Sequence, residues 1–264
     1  DLQVGIIRAI PMIRSVAVFA VLALAPGFAA AQEEKKDEKW DVSAPPLKTR
    51  DVAIDVDEGT WMSLDVSPDG RTIAFDLLGD IYTIPAAGGE ARNISSGLAW
   101  EIQPRFSPDG KKIAFTSDRG GGDNIWIMND GGSDKRQVTK ESFRLLNNPT
   151  WSADGQYIAA RKHFTTQRSL GTGEIWLYHI SGGDGVQLVK RPSETHQKEL
   201  GEPVFSADGK YLYFAQNITP GATFQYAQDS NGDLFHINRY EMATGEIETA
   251  VSGYGGAVRP APSP

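Results

Sequence analysis

The tetrapeptide Ser-(Pro/Ala)-Asp-Gly closes a short apolar run four times, at Ser67-Pro68-Asp69-Gly70, Ser107-Pro108-Asp109-Gly110, Ser152-Ala153-Asp154-Gly155 and Ser206-Ala207-Asp208-Gly209. A further Ser-Pro stands at Ser263-Pro264, and successive serines are 40, 45, 54 and 57 residues apart. That interval is the length of one supersecondary unit reused with loops of varying size. Each tetrapeptide is a turn by its chemistry: Asp accepts hydrogen bonds from the turn backbone, Gly takes a positive φ, and Pro presets its own φ. The four Asp residues are therefore read as structural rather than catalytic.

Each copy continues in the same way. An apolar strand core follows the Gly, at Ile73-Ala74-Phe75, Ile113-Ala114-Phe115, Ile158-Ala159-Ala160 and Leu212-Tyr213-Phe214, rich in types that suit a pleated surface. A second strand, led by a polar residue, reads Asp80-Ile81-Tyr82, Asn124-Ile125-Trp126, Glu174-Ile175-Trp176 and Asp233-Leu234-Phe235. Then come a turn at Gly88-Gly89, Gly131-Gly132, Gly182-Gly183 or Thr244-Gly245 and a short outer strand near Ile94, Val138, Leu188 and Ile247. With the segment before each Ser, the unit has four strands. Four strands per unit at this period are the signature of a β-propeller blade.

The chain is thus expected to be all-β: an incomplete β-propeller of four four-stranded blades plus the start of a fifth. The blades are expected at about 58–98, 99–142, 143–192 and 198–252, with the fifth beginning near 257. Val52-Ala53-Ile54-Asp55 reads as a spare strand suited to closing such a ring. Four units and a stub fall short of a ring of six or seven, so the neighbours of Trp126, Trp151 and Trp176 are expected to be partly uncovered. Open faces and unpaired edges favour association.

Aligning the copies on their serines exposes a polar column four residues upstream: Ser63, Gln103, Asn148, Glu202 and Arg259. In a propeller the first strand of each blade is innermost, which makes these five the candidate binding residues at the mouth of the central channel.

The front of the chain reads as an export signal. Met12-Ile13-Arg14 opens a basic segment, residues 16–25 are apolar, and Ala29-Ala30-Ala31 offers the small residues of a cleavage site. Residues 1–31 are accordingly read as upstream residues plus a signal peptide starting at Met12. Residues 32–50 are read as a charged disordered linker and residues 51–264 as the truncated propeller. The apolar stretch is shorter than the roughly 20 residues of a bilayer span, so no membrane span is expected after cleavage. The expected location is periplasmic or extracellular. The absence of Cys excludes disulfides and thiolate metal sites. A formal charge of −8 argues against nucleic acid as a partner.

Catalytic sets are missing from the pattern. No Gly-x-Ser-x-Gly occurs, and His163, His179, His196 and His236 lack the spacings that put two imidazoles on one metal. Asp229-x-Asn231-x-Asp233 begins like a calcium loop, but Leu234 stands where the sharp-turn Gly belongs and Tyr240 where a bidentate Glu belongs. A turn at Asn231-Gly232 is the better reading. Asp118-Arg119-Gly120-Gly121-Gly122-Asp123 has no Lys-Ser/Thr after it to make a phosphate loop. No metal site and no cofactor is expected within these residues.

The run Phe106-Ser107-Pro108-Asp109-Gly110-Lys111-Lys112-Ile113-Ala114-Phe115, with Ser117-Asp118-Arg119 and Asn124-Ile125-Trp126-Ile127-Met128, resembles the TolB-type (WD40-like) propeller family. The resemblance extends over about residues 58–264, with insertions at 164–173 and 217–232. Such propellers occur as TolB itself, as substrate-gating domains of prolyl-oligopeptidase-type serine peptidases, and in front of metal-dependent amidohydrolases. The opening Glu58-Gly59-Thr60-Trp61-Met62-Ser63-Leu64-Asp65-Val66 and Phe75-Asp76-Leu77-Leu78-Gly79-Asp80 most resemble the secreted propeller-amidohydrolases. That resemblance implies a non-catalytic gating or scaffold domain whose partner is its own C-terminal hydrolase domain, with a divalent metal such as zinc in that domain. A TolB-like propeller binding a peptide or periplasmic protein, or the propeller of a serine peptidase, is the alternative. Whether the protein is an enzyme is left open by these residues.

Overall fold

A computed structural model describes residues 41–142, 145–165, 171–229 and 231–262. The expected signal peptide and residues 32–40 of the expected linker lie outside the described residues. Residues 41–62 contain no strand. Val52 and Ile54 are exposed and unpaired, so the segment read as a spare strand is not one among the described residues.

Sixteen strands form four antiparallel sheets, and no helix occurs among the described residues. Blade 1 is β1 (Leu64–Val66), β2 (Thr72–Leu77), β3 (Asp80–Pro85) and β4 (Arg92–Ser95). Blade 2 is β5 (Glu101–Phe106), β6 (Lys112–Ser117), β7 (Asn124–Asn129) and β8 (Arg136–Gln137). Blade 3 is β9 (Leu145–Trp151), β10 (Tyr157–Thr165), β11 (Gly171–His179) and β12 (Val186–Val189). Blade 4 is β13 (Leu200–Phe205), β14 (Tyr211–Asn217), β15 (Phe235–Glu241) and β16 (Ile247–Val251). Every sheet is a meander in chain order. We letter the strands of each blade A to D in that order. The A strands of successive blades pack against one another around a common axis, while no comparable packing joins β13 back to β1 among the described residues. The assembly is an open propeller.

The repeated tetrapeptide closes every A–B hairpin by one device. In blade 2 the Ser107 hydroxyl donates to Asp109 Oδ1 at 2.6 Å, the same oxygen accepts the Lys111 N–H, and Ser107 Oγ accepts the Lys112 N–H. The Ser–Asp bond recurs at 2.6, 2.5 and 2.7 Å in the other blades. Ala153 and Ala207 replace Pro without loss of this lock, because the Ser and Asp side chains make it.

Between the blades lies the core. Strand alternation sends successive side chains to opposite faces. Ile113, Phe115 and Met128 of blade 2 thus pack with Ala74, Ile81 and Ile94 of blade 1, while Ala114, Ile125 and Ile127 pack with Ile158, Ala160 and Tyr178 of blade 3. Ala159, Ile175 and Val189 meet Leu212 and Phe214 of blade 4 in a third cluster. Trp151 is buried in the second cluster, with Trp126 and Trp176 half-buried. Ile73 and Phe75, the counterparts of Ile113 and Phe115, are half-buried because no sheet covers that face of blade 1 among the described residues.

The third and fourth units depart from the compact form. The insertion at 164–173 lengthens the B–C hairpin of blade 3, whose strands reach Thr165 and Gly171. In blade 4 the second strand begins at Phe235, and its register pairs Gln216 with His236. The equivalent pairs are Leu77 with Asp80 and Ser117 with Asn124. His236, not Asp233, therefore occupies the leading polar position. Asp233 matched the pattern by residue type, but hydrogen-bond register with β14 decides the alignment. Near 257 no strand forms among the described residues.

Candidate functional site

The A strands are irregular at a repeated place. Register shifts break the A–B ladders between Ile102 and Arg105, opposite Ala159 and Arg161, and between Gly201 and Val204. Such bulges bend a strand and re-aim its side chains. At each, one non-glycine residue takes a left-handed backbone: Gln103 (φ 58°), Asn148 (φ 52°) and Glu202 (φ 54°), with Arg259 (φ 54°) repeating the conformation. Each is followed by Pro, at positions 104, 149, 203 and 260. Proline has no N–H, so the broken ladder leaves no donor stranded there.

The column residues then clasp neighbouring blades. Asp76, buried in β2, accepts the Ser63 N–H at 3.1 Å and the Gln103 N–H at 2.7 Å. Gln103 Oε1 accepts the Asn148 N–H at 2.7 Å and the Thr116 hydroxyl at 3.2 Å. Glu202 Oε2 accepts the Arg259 N–H at 2.8 Å, with the Arg259 guanidinium 3.5 Å from Oε1. Between blades 3 and 4 an Arg161–Glu199 ion pair at 2.8 Å takes this part. Burial pushes the Glu199 carboxyl above its ordinary range, with Arg161 opposing and Glu202 adding to the shift.

All five column residues line one axial cavity of about 1000 Å³. Its walls include Trp61, Phe106, Trp151 and Val204, and its charged lining is Asp65, Arg105, Glu202 and Arg259. Burial raises the Asp65 carboxyl, against the lowering effects of the Phe106 N–H and of Arg105. Arg105 donates to the carbonyls of Leu64 and Pro104, and its own carbonyl accepts the Trp151 indole N–H at 3.0 Å. The cavity is thus of mixed polarity, with two acids and two bases. A second hollow of about 680 Å³ lies between blades 1 and 2, lined by Asp69, Arg92, Asp109 and Lys111. Asp69 and Asp109 are committed to their turns.

The remaining sequence candidates are spent on structure. Asp229 Oδ1 accepts the Asn231 N–H, an Asx turn. Asp233 pairs with His236 at 2.8 Å and His179 with the Ser181 hydroxyl at 2.7 Å. In the glycine loop after β6, Arg119 holds buried Glu101 at 2.9 Å and Asp118 accepts the Trp100 N–H at 2.8 Å. No group of three or more His, Asp or Glu among the described residues is placed to hold a metal ion. Asp76 and the four X-Pro steps escaped the reading of the column, although the X-Pro repeat stands plainly in the sequence.

Comparison with known proteins agrees with the propeller fold. The chain is 29% identical over 160 residues to the uncharacterized peptidase YuxL of Bacillus subtilis, covering 58% of this chain and 21% of that protein. It is 36% identical over 126 residues to tricorn protease homolog 1 of Streptomyces coelicolor, covering 47% and 12%. With the Tol-Pal system protein TolB of Helicobacter hepaticus the figures are 27% over 161 residues, 60% and 37%. The chain therefore spans well under half the length of these relatives. Among solved structures, TolB from Acinetobacter baumannii superposes with a TM-score of 0.52 at 20% identity, over 72% of this chain and 43% of that one; this likeness concerns the fold alone. The TolB beta propeller domain family matches residues 36–175, more than half of the chain, and the chain belongs to that family.

Proposed function

We propose that this chain is the non-catalytic propeller of an exported hydrolase, controlling which substrates reach a catalytic domain that lies outside these residues. The observation that carries the reading is the axial cavity, lined in register by one residue column and held open by clasps between blades. A cavity on the axis of the blades selects by size and extension of the substrate. Peptides are the substrate class we favour, because YuxL and the tricorn homolog carry peptidase or protease in their names. The mixed charges of Asp65, Arg105, Glu202 and Arg259 suit a peptide backbone better than a ligand of one sign. Location outside the cytoplasm belongs to this proposal and rests on the signal-like residues 12–31 and the TolB relative.

A metal-dependent amidohydrolase as the catalytic part is the second reading. It rests on the blade 1 residues 58–82 alone, whereas the relatives described above are peptidases and TolB.

The gene beyond the codon for Pro264 tests both. A Gly-x-Ser-x-Gly downstream supports the peptidase, and a His-x-His after a strand supports the amidohydrolase. A stop after further blades alone overturns the hydrolase reading in favour of a binding propeller.

A further inference from the structure

The two ends of the propeller differ in a way that the access role does not require. At the end formed by the A–B and C–D turns, the repeated Ser, Asp and Gly residues make a polar rim. The opposite end, formed by the B–C and D–A loops, exposes Leu78, Leu98, Trp100, Tyr226 and Tyr254. Three of these belong together. Leu78 and Gly79 turn β2 into β3, and Leu98 and Trp100 lie in the loop from blade 1 to blade 2. The Glu101 N–H donates to the Gly79 carbonyl at 2.8 Å, stitching the two loops. The Trp100 ring lies so close over Gly79 that a Cβ there would stand 2.6 Å from Cε3. Blades 1 and 2 flank the loop of Leu98 and Trp100, so the exposure of those two does not come from an uncovered outer face, whereas Leu78 stands on the turn of blade 1 itself.

Leu78 is the sharper observation. Leu78 and Gly79 have φ of 54° and 86°, the positive values at both central positions that define the tightest hairpin turn, where Asn-Gly is the favoured pair. Leucine is disfavoured in that backbone and gains no burial in return, being 68% exposed. Backbone strain combined with an exposed apolar side chain is a mark of an interaction site. Trp100, 53% exposed, is an anchor of the type that dominates interfaces. Asp80, Asn93, Asp118 and Arg119 supply a polar rim, with Asn93 donating to Asp80 at 3.0 Å and Asp118 holding the Trp100 N–H.

We propose that Leu78, Leu98 and Trp100 form the docking surface for the hydrolase domain of the same polypeptide, on the B–C/D–A end of the propeller. The proposal rests on the reading that such a domain exists. The occupant is chosen because these residues cover only 21% of YuxL and 12% of the tricorn homolog, leaving a large remainder of chain to be held. Docking there leaves the Ser-Asp-Gly end as the open mouth of the axial cavity, where Pro68, Ser107 and Pro108 line it.

Hydroxyl-radical footprinting of the complete polypeptide tests this directly. Leu78, Leu98 and Trp100 are expected to lose several-fold in reactivity against that of exposed Val186 and Ile247 at the other end, independently of protein concentration. Leu78→Asn suits its turn and is expected to keep the melting temperature or raise it, while restoring reactivity at Leu98 and Trp100. Full reactivity of all three in a polypeptide that contains a hydrolase domain overturns the proposal but not the functional reading. Protection that vanishes on dilution assigns the surface to a second copy and also overturns it. A polypeptide without any hydrolase domain overturns the functional reading itself, and this inference with it.

Discussion

Gln103 of blade 2 holds Asn148 of blade 3 by one hydrogen bond, from the Asn148 backbone N–H to the Gln103 side-chain oxygen at 2.7 Å. The donor sits at a bulge, where no ladder partner replaces the acceptor. Leaving a half-buried N–H unpaired costs about 1–3 kcal/mol. Gln103→Ala is therefore expected to destabilise by about that amount in chemical denaturation. Gln103→Glu keeps an acceptor and is expected to cost less.

The cores lie between blades, so equivalent residues have unequal weight. Phe115 is fully buried against blade 1, whereas its counterpart Phe75 is half-buried and stacks on Tyr82, at 5.6 Å. Phe115→Ala is expected to cost about 3–5 kcal/mol. Phe75→Ala is expected to cost clearly less, by the same denaturation measurement.

Gly173 makes room for a neighbouring blade. A Cβ there would stand 2.0 Å from the Leu200 carbonyl oxygen and 2.6 Å from Arg161 Nε. Backbone cannot yield as a side-chain tip can, so Gly173→Ala is expected to cost about 3 kcal/mol, the upper range for overpacking. Thermal unfolding of the variant checks it.

The turn aspartates give an acid signature. The Ser206 hydroxyl, then the Lys210 N–H and side chain, lower Asp208 from 3.8 to about 2. The serine hydroxyl is likewise the leading cause of the lowering at Asp69, Asp109 and Asp154. A group whose folded pKa is depressed supports the fold above its unfolded pKa and loses that support as pH falls through the folded value. Stability is expected to drop as pH falls below about 4 and these carboxylates titrate, Asp208 at about 2. Asp208→Asn is expected to flatten part of that slope. Carboxyl chemical shifts followed by NMR locate the midpoint.

The sheet order was legible because local chemistry dictates it. Ser-x-Asp-Gly makes its own hairpin from residues within five positions of each other, and alternation in Ile113-Ala114-Phe115 assigns both faces of a strand. Blade 4 was less legible: Asp233 imitates the leading residue of the second strand, and only pairing across a long loop selects His236. The column Ser63 to Arg259 was visible by spacing. Its bulged, left-handed backbone was not read, although the recurring Pro beside it marks the place. Asp76 escaped because its partner Gln103 lies 27 residues away and belongs to another blade. The strained Leu78 was hidden for a different reason: a Leu-Gly pair looks like a weak turn signal until its φ values are known.

Narrowing the axial cavity is the most direct test of the access role. Val204 lines the cavity on β13, and Val204→Trp in the complete polypeptide adds bulk there without touching any clasp. An access role requires that kcat/KM falls for extended peptides and stays unchanged for a short chromogenic amide. Equal kinetics for both substrates before and after the substitution would contradict it.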